Sequence, residues 1–162
     1  ACALDRLGAM ALERMEATIA DFGVFQLAEL LRGRNRRRIA RVVRKLPERD
    51  GRLLVDALAC ERDVDREEKV RIREVFVGLA QRVDGLGRRV ERLGLYSVAC
   101  AAGYRFRGRI SALAERLPTK RAERLERFYR LSYGSTRRGV GVHFRRALEN
   151  FLRWRGERAN DE

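Results

Sequence analysis

The feature that most constrains the fold is a stretch that recurs later in the chain in the same register. Residues 22–47, FGVFQLAELLRGRNRRRIARVVRKLP, align with the later stretch without a gap. An offset of 71 residues places Gly23 on Gly94, Ile39 on Ile110, and Leu46-Pro47 on Leu117-Pro118. We call this offset the repeat shift. Two unrelated amphipathic helices also align at some offset, but helical periodicity does not reproduce a glycine and a Leu-Pro pair. We therefore interpret the stretch as an internal duplication with a period of about 71 residues, which predicts two similar halves.

An apolar stripe precedes both copies and sets the boundaries of the predicted halves. The repeat shift pairs Met15 with Leu86 and Ile19 with Val90. Gly85 and Gly87 interrupt the pattern between the copies without a long linker. The sequence thus predicts a first repeat over 1–82 and a second over 83–162, packed as one compact body.

Apolar residues recur at helical spacing throughout, which predicts an all-α protein. In the first copy, the pattern predicts a helix over 3–22 that Gly23 ends, a short helix over 24–31, and a turn at Gly33. Asn35 is a candidate N-cap for the next helix, which Pro47 ends. The remaining predicted helices cover 48–60, a stretch opened by an Asp65/Glu68 capping box, 86–93, 96–102, 109–117, 119–131 and 143–155.

The net charge of +14, with 37% charged residues, indicates a polyanionic partner. Residues 32–45 hold eight basic side chains and no acidic one, although the second half, 82–162, carries more of the net charge. Nearly all the basic residues are arginine, whose planar fork suits phosphate contacts; a GC-rich genome gives the same bias. Ser, Thr, Asn and Gln together fill 12 positions, which is typical of a thermophilic protein.

Signatures of other functional classes are missing from the sequence. Cys2, Cys60 and Cys100 fit no metal or redox motif and are expected to be buried free thiols, with one disulfide as the alternative. A zinc site that adds His143 has no local ligand pair. No P-loop, nucleophile elbow or Cys-His pair is present, so we expect no enzymatic activity and no cofactor. No apolar run is long enough to span a membrane.

Two segments, 24–46 and 95–117, carry a resemblance to a known family. LAELLRGRNRRRIARVVRKL (27–46) and VACAAGYRFRGRISALAERL (98–117) resemble the helix-turn-helix of winged-helix transcription regulators. Ala28 and Ala99 match the small residue of the first helix, and Ile39 and Ile110 match the apolar residue of the recognition helix. The turn is about one residue longer than in the family, and no β-wing is evident. The resemblance implies DNA binding, with the start of the second helix in the major groove.

The candidate nucleic-acid-binding residues are all arginines. The resemblance assigns base-reading positions to Arg36, Arg37, Arg38 and Arg41, and to Arg105, Arg107 and Arg109 in the second copy. The charge pattern adds Arg34, Arg44, Arg137, Arg138, Arg145 and Arg146. For any of these runs the alternative is a solvated helix face, and for residues 116–130 interleaved glutamates favour that alternative. Tyr104 and Phe106 either stack on bases or anchor a turn.

These patterns predict a non-enzymatic protein that binds double-stranded DNA through the backbone, with little sequence specificity. Such a protein would coat, compact or bend DNA in the cytoplasm or nucleoid, or within a nucleoprotein particle, with self-association along the DNA or in a larger assembly. The alternatives are a weakly specific regulator, an RNA-binding subunit of a ribonucleoprotein, and a nuclease that holds magnesium through Asp63 and Asp65. In this chain those acids are better read as caps and ion-pair partners.

Overall fold

The computed structural model of the chain describes residues 2–60, 62, 64–80, 85–103, 106–135 and 140–161. Over these ranges the protein is all-α, as the periodicity predicts, with no strand. The helices are α1 (Ala3–Gly8), α2 (Leu12–Leu31), α3 (Arg36–Lys45), α4 (Glu48–Ala59), α5 (Arg66–Ala80), α6 (Leu86–Ala102), α7 (Arg107–Arg116), α8 (Thr119–Ser135) and α9 (Val140–Asp161). Within this part of the chain, no helix is both long enough and apolar enough to cross a lipid bilayer.

The helices form two compact units that do not follow chain order. The first unit comprises Ala1–Thr18 and Leu95–Glu162, and the second comprises Ile19–Gly94. The unit boundaries fall inside α2 and α6, so each of these helices contributes to both units, whereas the predicted halves meet at residues 82 and 83. The first unit holds α1 and α7–α9, and the second holds α3–α5.

The long helices α2 and α6 approach each other closely at two glycines of the second unit. A Cβ added to Gly23 would lie 1.9 Å from the carbonyl oxygen of Val90 and 2.9 Å from the nitrogen of Gly94. A Cβ added to Gly94 would lie 2.0 Å from the carbonyl oxygen of Ile19 and 3.1 Å from the nitrogen of Gly23. The contact is reciprocal, as at a local two-fold axis.

This close approach overturns the prediction that Gly23 ends a helix. Helix α2 runs through Gly23 to Leu31, and α6 runs from Leu86 through Gly94 to Ala102, so the two predicted short helices over 24–31 and 96–102 are not separate. Packing against a neighbouring backbone outweighs the low helix propensity of glycine. The first predicted helix also divides, since α1 ends at Gly8 and α2 begins at Leu12.

Helix boundaries recur at the repeat shift. Helix α2 ends at Leu31 and α6 at Ala102; α3 covers Arg36–Lys45 and α7 covers Arg107–Arg116; α4 begins at Glu48 and α8 at Thr119. These shared boundaries and the reciprocal glycine contact support the duplication, which stays a prediction.

A buried ionic cluster stabilises the second unit. The Arg62 guanidinium, with a side chain only 4% exposed, lies 3.3 Å from Glu29 and 3.1 Å from Glu68 and donates to the Gln26 side chain at 3.1 Å. Burial lowers the pKa of Arg62, while the two carboxylates oppose that shift. Glu68 therefore serves this cluster, and at the start of α5 the Asp65 side chain accepts the backbone N–H of Glu67 at 2.8 Å.

Candidate nucleic-acid interface

Helix α3 carries the densest basic surface of the chain, and local sequence signals position it. Gly33 adopts a φ of +76°, which only glycine takes up readily, and turns the chain after α2. The Asn35 side chain then accepts the backbone N–H of Arg38 at 2.9 Å and caps α3. The predicted turn and N-cap are both confirmed.

Helix α3 is held mainly by its contact with α4. Leu46, which follows α3, is buried, and a Cβ on Gly51 of α4 would lie 3.1 Å from the Val43 side chain. Beside this contact, a cleft of about 530 Å³ is lined in part by Val43, Leu46 and Val55. No residue of α3 itself is buried.

The cations of α3 and the adjoining Arg34 are exposed. The exposed side chains are Arg34, Arg36, Arg37, Arg38, Arg41, Arg44 and Lys45. Within the residues that the structure describes, none of them forms an ion pair. Arg44 donates only to the carbonyl oxygen of Ala40, at 3.3 Å. Their charge is therefore available to a ligand in solution.

Five of these cations lie on two faces of α3. Arg37, Arg41 and Arg44 follow i, i+4, i+7 spacing and form a row about 10 Å long, which we call the outer face. Arg38, Val42 and Lys45 form a second row at the same spacing, which we call the flank. The half-buried Ile39 and Val43 point away from the outer face, so α3 presents the outer face to solvent.

The second predicted recognition helix, α7, is arranged differently. Its Ile110, Leu113 and Ala114 are buried, at 2%, 2% and 6% exposure. Arg109 donates two hydrogen bonds to Asp5, at 2.5 and 3.1 Å, and these bonds, with a further one from the Cys2 thiol, lower the pKa of Asp5 to about 2. The same bonds raise the pKa of Arg109. Arg109 is thus engaged within the protein, and only Arg107 of the α7 candidates is exposed.

Arg145 is also a structural residue. It donates to the carbonyl oxygens of Ala101 and Ala102, at 3.1 and 3.4 Å, and so satisfies the C-terminal end of α6. Its guanidinium also lies over Phe106, at 5.0 Å from the ring centroid, with Arg109 at 4.5 Å. Phe106 therefore anchors this turn. Of the two candidate arginines in α9, Arg145 is engaged within the protein and Arg146 is exposed.

Several of the residues singled out in the sequence lie outside the described ranges: Arg105, Arg137, Arg138, Tyr104 and Asp63. Cys100 is buried, Cys2 and Cys60 are half-buried, and no disulfide joins any of these three described cysteines. Over the described ranges, no group of three or more His, Cys, Asp and Glu side chains is placed to hold a metal ion. Sequence reasoning missed the Arg62 cluster, because Glu29 and Gln26 are far from Arg62 in the sequence.

No protein-family model, curated protein or solved structure gives a significant match to this chain. A function for it is therefore inferred from the arrangement of its own residues.

Proposed function

We propose that the protein binds a nucleic-acid duplex, most simply double-stranded DNA, through the outer face of α3. The observation that carries the proposal is a row of three exposed arginines, Arg37, Arg41 and Arg44, with no carboxylate partner among the described residues. A protein surface of this kind gains free energy by releasing the counterions of phosphates.

The chemistry of the outer face favours contacts with the backbone over readout of bases. Arginine binds phosphate oxygens as well as guanine edges, and α3 offers no Asn or Gln along its outer face to pair with adenine. The proposed mode is binding by shape and charge, which is suited to coating or compacting nucleic acid rather than to selecting a site. The function requires no catalytic group.

The structure of α7 argues for a single contact helix. Arg109 is engaged by Asp5, and the Arg116 guanidinium donates to carbonyl oxygens of the α1 end, Gly8 and Met10. At the repeat shift the outer face corresponds to Gly108, Ala112 and Glu115 of α7, which are exposed but include no cation.

The test compares two triple variants that lose the same charge. In the first, Arg37, Arg41 and Arg44 become Ala; in the control, the exposed Arg127, Arg130 and Arg153 of α8 and α9 become Ala. Binding to a random duplex of about 30 base pairs is measured from roughly 50 to 300 mM salt. We expect the outer-face variant to bind more weakly and its log–log salt slope to flatten by about 0.9 for each phosphate that it no longer neutralises.

The control variant should keep a slope close to that of the wild type. Equal losses of affinity in the two variants would reduce the proposal to a general effect of net charge. If single-stranded RNA binds more tightly than duplex DNA at equal salt, and through the same three arginines, the ligand is RNA. Binding that is unchanged in the outer-face variant would refute α3 as the interface.

A further inference from the structure

Helix α1 covers one side of α7, and the contact involves three residues that lie along one face of α7. Asp5 binds Arg109, the Cδ2 atom of Leu113 lies 3.6 Å from the position of a Cβ on Gly8, and Arg116 donates to the carbonyl oxygen of Met10 at 2.5 Å. Residues 109, 113 and 116 follow i, i+4, i+7 spacing. This row therefore binds a short helix in three ways: one cation pairs with an acidic residue, the apolar residue contacts the helix side, and the second cation binds carbonyl oxygens at the helix end.

The repeat shift places the flank of α3 at the same three positions. Arg109 corresponds to Arg38, Leu113 to Val42 and Arg116 to Lys45. The two rows share a chemical pattern of cation, apolar residue, cation. They differ in burial at two positions: Leu113 is buried and Arg109 half-buried, whereas Val42 is half-buried and Arg38 exposed. Arg116 and Lys45 are both exposed.

We propose that the flank of α3 binds a short amphipathic helix of a partner protein, as α7 binds α1. The partner helix carries a carboxylate that pairs with Arg38 and an apolar side chain that contacts Val42. Its C-terminal carbonyl oxygens accept from Lys45. Its acidic character follows from charge complementarity with a surface on which seven neighbouring cations have no acidic partner within the described residues.

This inference does not depend on nucleic-acid binding, because the flank and the outer face are different sides of α3. The proposed partner helix contacts Arg38, Val42 and Lys45, whereas the proposed duplex contacts Arg37, Arg41 and Arg44.

The probe is a peptide with the sequence of residues 1–11, ACALDRLGAMA, since this segment supplies the helix that covers α7. An isolated helix of this length is unstable in water, so a staple joins positions 6 and 10. A fluorescent label on the peptide reports binding to the full chain by anisotropy. We expect saturable binding with one peptide for each chain.

Variants of the flank and of the outer face separate the proposed site from a general attraction. Arg38→Glu should weaken peptide binding about tenfold or more, whereas Arg37→Glu, with the same charge change at the neighbouring position, should alter it by about twofold at most. A peptide carrying Asp5→Arg should bind Arg38→Glu better than it binds the wild type. Val42→Asp should abolish binding while circular dichroism shows an intact fold.

Binding that survives both Arg38→Glu and Val42→Asp would overturn the proposal, because the peptide would then be exchanging with α1 on α7 or adhering elsewhere. Absence of saturable binding to the wild-type chain would overturn it as well. Loss of peptide binding with unchanged duplex binding in Val42→Asp would support the proposal and show that the two faces act separately.

Discussion

Gly23 and Gly94 have a role that only the absence of a side chain can fill. A Cβ added to Gly23 would lie 1.9 Å from a backbone carbonyl oxygen of α6, and a Cβ added to Gly94 would lie 2.0 Å from a backbone carbonyl oxygen of α2. A backbone atom cannot rotate away as a side chain can, so the helices would have to separate.

We therefore expect Gly23→Ala to lower the free energy of unfolding by about 3 kcal/mol or more. The matched control is Gly78→Ala in α5 of the same unit, where an added Cβ meets no atom within 4 Å. Alanine is the better helix former, so the control should raise stability by up to about 1 kcal/mol. Urea denaturation of both variants measures the difference, and similar effects would contradict the close crossing.

Asp5 links stability to acidic pH. Its hydrogen bonds, chiefly from Arg109 and also from the Cys2 thiol, lower its pKa from 3.8 to about 2 in the folded protein. The carboxylate thus contributes its stabilisation in full above about pH 4 and loses it as the pH falls toward 2. In Asp5→Asn, the fall in stability between these pH values should be smaller than in the wild type. Denaturation at a series of pH values tests this, and equal slopes would show that other carboxylates account for the acid sensitivity.

Replacing Arg62 should strongly reduce the free energy of unfolding. Its guanidinium neutralises Glu29 and Glu68, which are buried with it. Arg62→Ala should cost about 3–5 kcal/mol because it removes a buried cation from both carboxylates, although Glu29 keeps its ion pair with Arg32 at 3.0 Å. Arg52→Ala removes an exposed i, i+4 pair with Glu48 and should cost less than about 1 kcal/mol. Thermal denaturation of the two variants compares them, and a small loss for Arg62→Ala would mean that water enters the cluster.

Among the elements, α3 depends on local signals more than any core helix does. It has no buried residue, and its first turn is held by the Asn35 cap. Asn35→Ala should weaken α3 by about 1 kcal/mol without unfolding the chain. Hydrogen exchange should speed up at the amides of α3 and stay unchanged at those of α7, whose N-cap, Phe106, makes no side-chain cap bond. Faster exchange in both helices would indicate global destabilisation.

The same difference explains which elements could be predicted from the sequence. The all-α class, the Gly33 turn, the Asn35 cap and the extent of α3 follow from spacing and from residues close in sequence. The continuity of α2 does not, because Val90, whose carbonyl oxygen faces Gly23, belongs to a helix far along the chain. A lone glycine in a helical pattern gives no local sign of such a neighbour.

In the candidate site too, the sequence distinguishes some functional arginines and not others, because partners that are remote in the sequence leave no local signal. The α3 arginines were identified from an acid-free run, and the absence of nearby acids in sequence is matched by the absence of ion pairs in the described part of the structure. Arg109 and Arg145 belong to runs of the same appearance. Their partners, Asp5 and the carbonyl oxygens at the end of α6, are remote from them in the sequence. Charge runs alone cannot distinguish a ligand-binding arginine from one that caps a helix.

For the whole molecule, one outer face implies a short footprint on nucleic acid. A second basic face elsewhere on the protein would add contacts on a long duplex that a short duplex lacks. Since α7 carries no cation at the positions that correspond to the outer face, we expect the affinity per site to stay within about threefold when the duplex is shortened from about 30 to about 12 base pairs. Titrations at one salt concentration measure this, and a much steeper loss would indicate a second contact surface.

The division of α2 and α6 between the two units limits how the protein can be dissected. The second unit needs residues 86–94, which include the buried Val90 and Leu93, and the first needs residues up to Thr18, which include the buried Leu7 and Met15. A cut in the segment between α5 and α6 would therefore divide each unit between the two fragments. The N-terminal fragment would lack residues 86–94 of the second unit, and the C-terminal fragment would lack the residues up to Thr18 of the first. The two fragments should each be poorly folded alone and should recover the helical protein only when they are produced together.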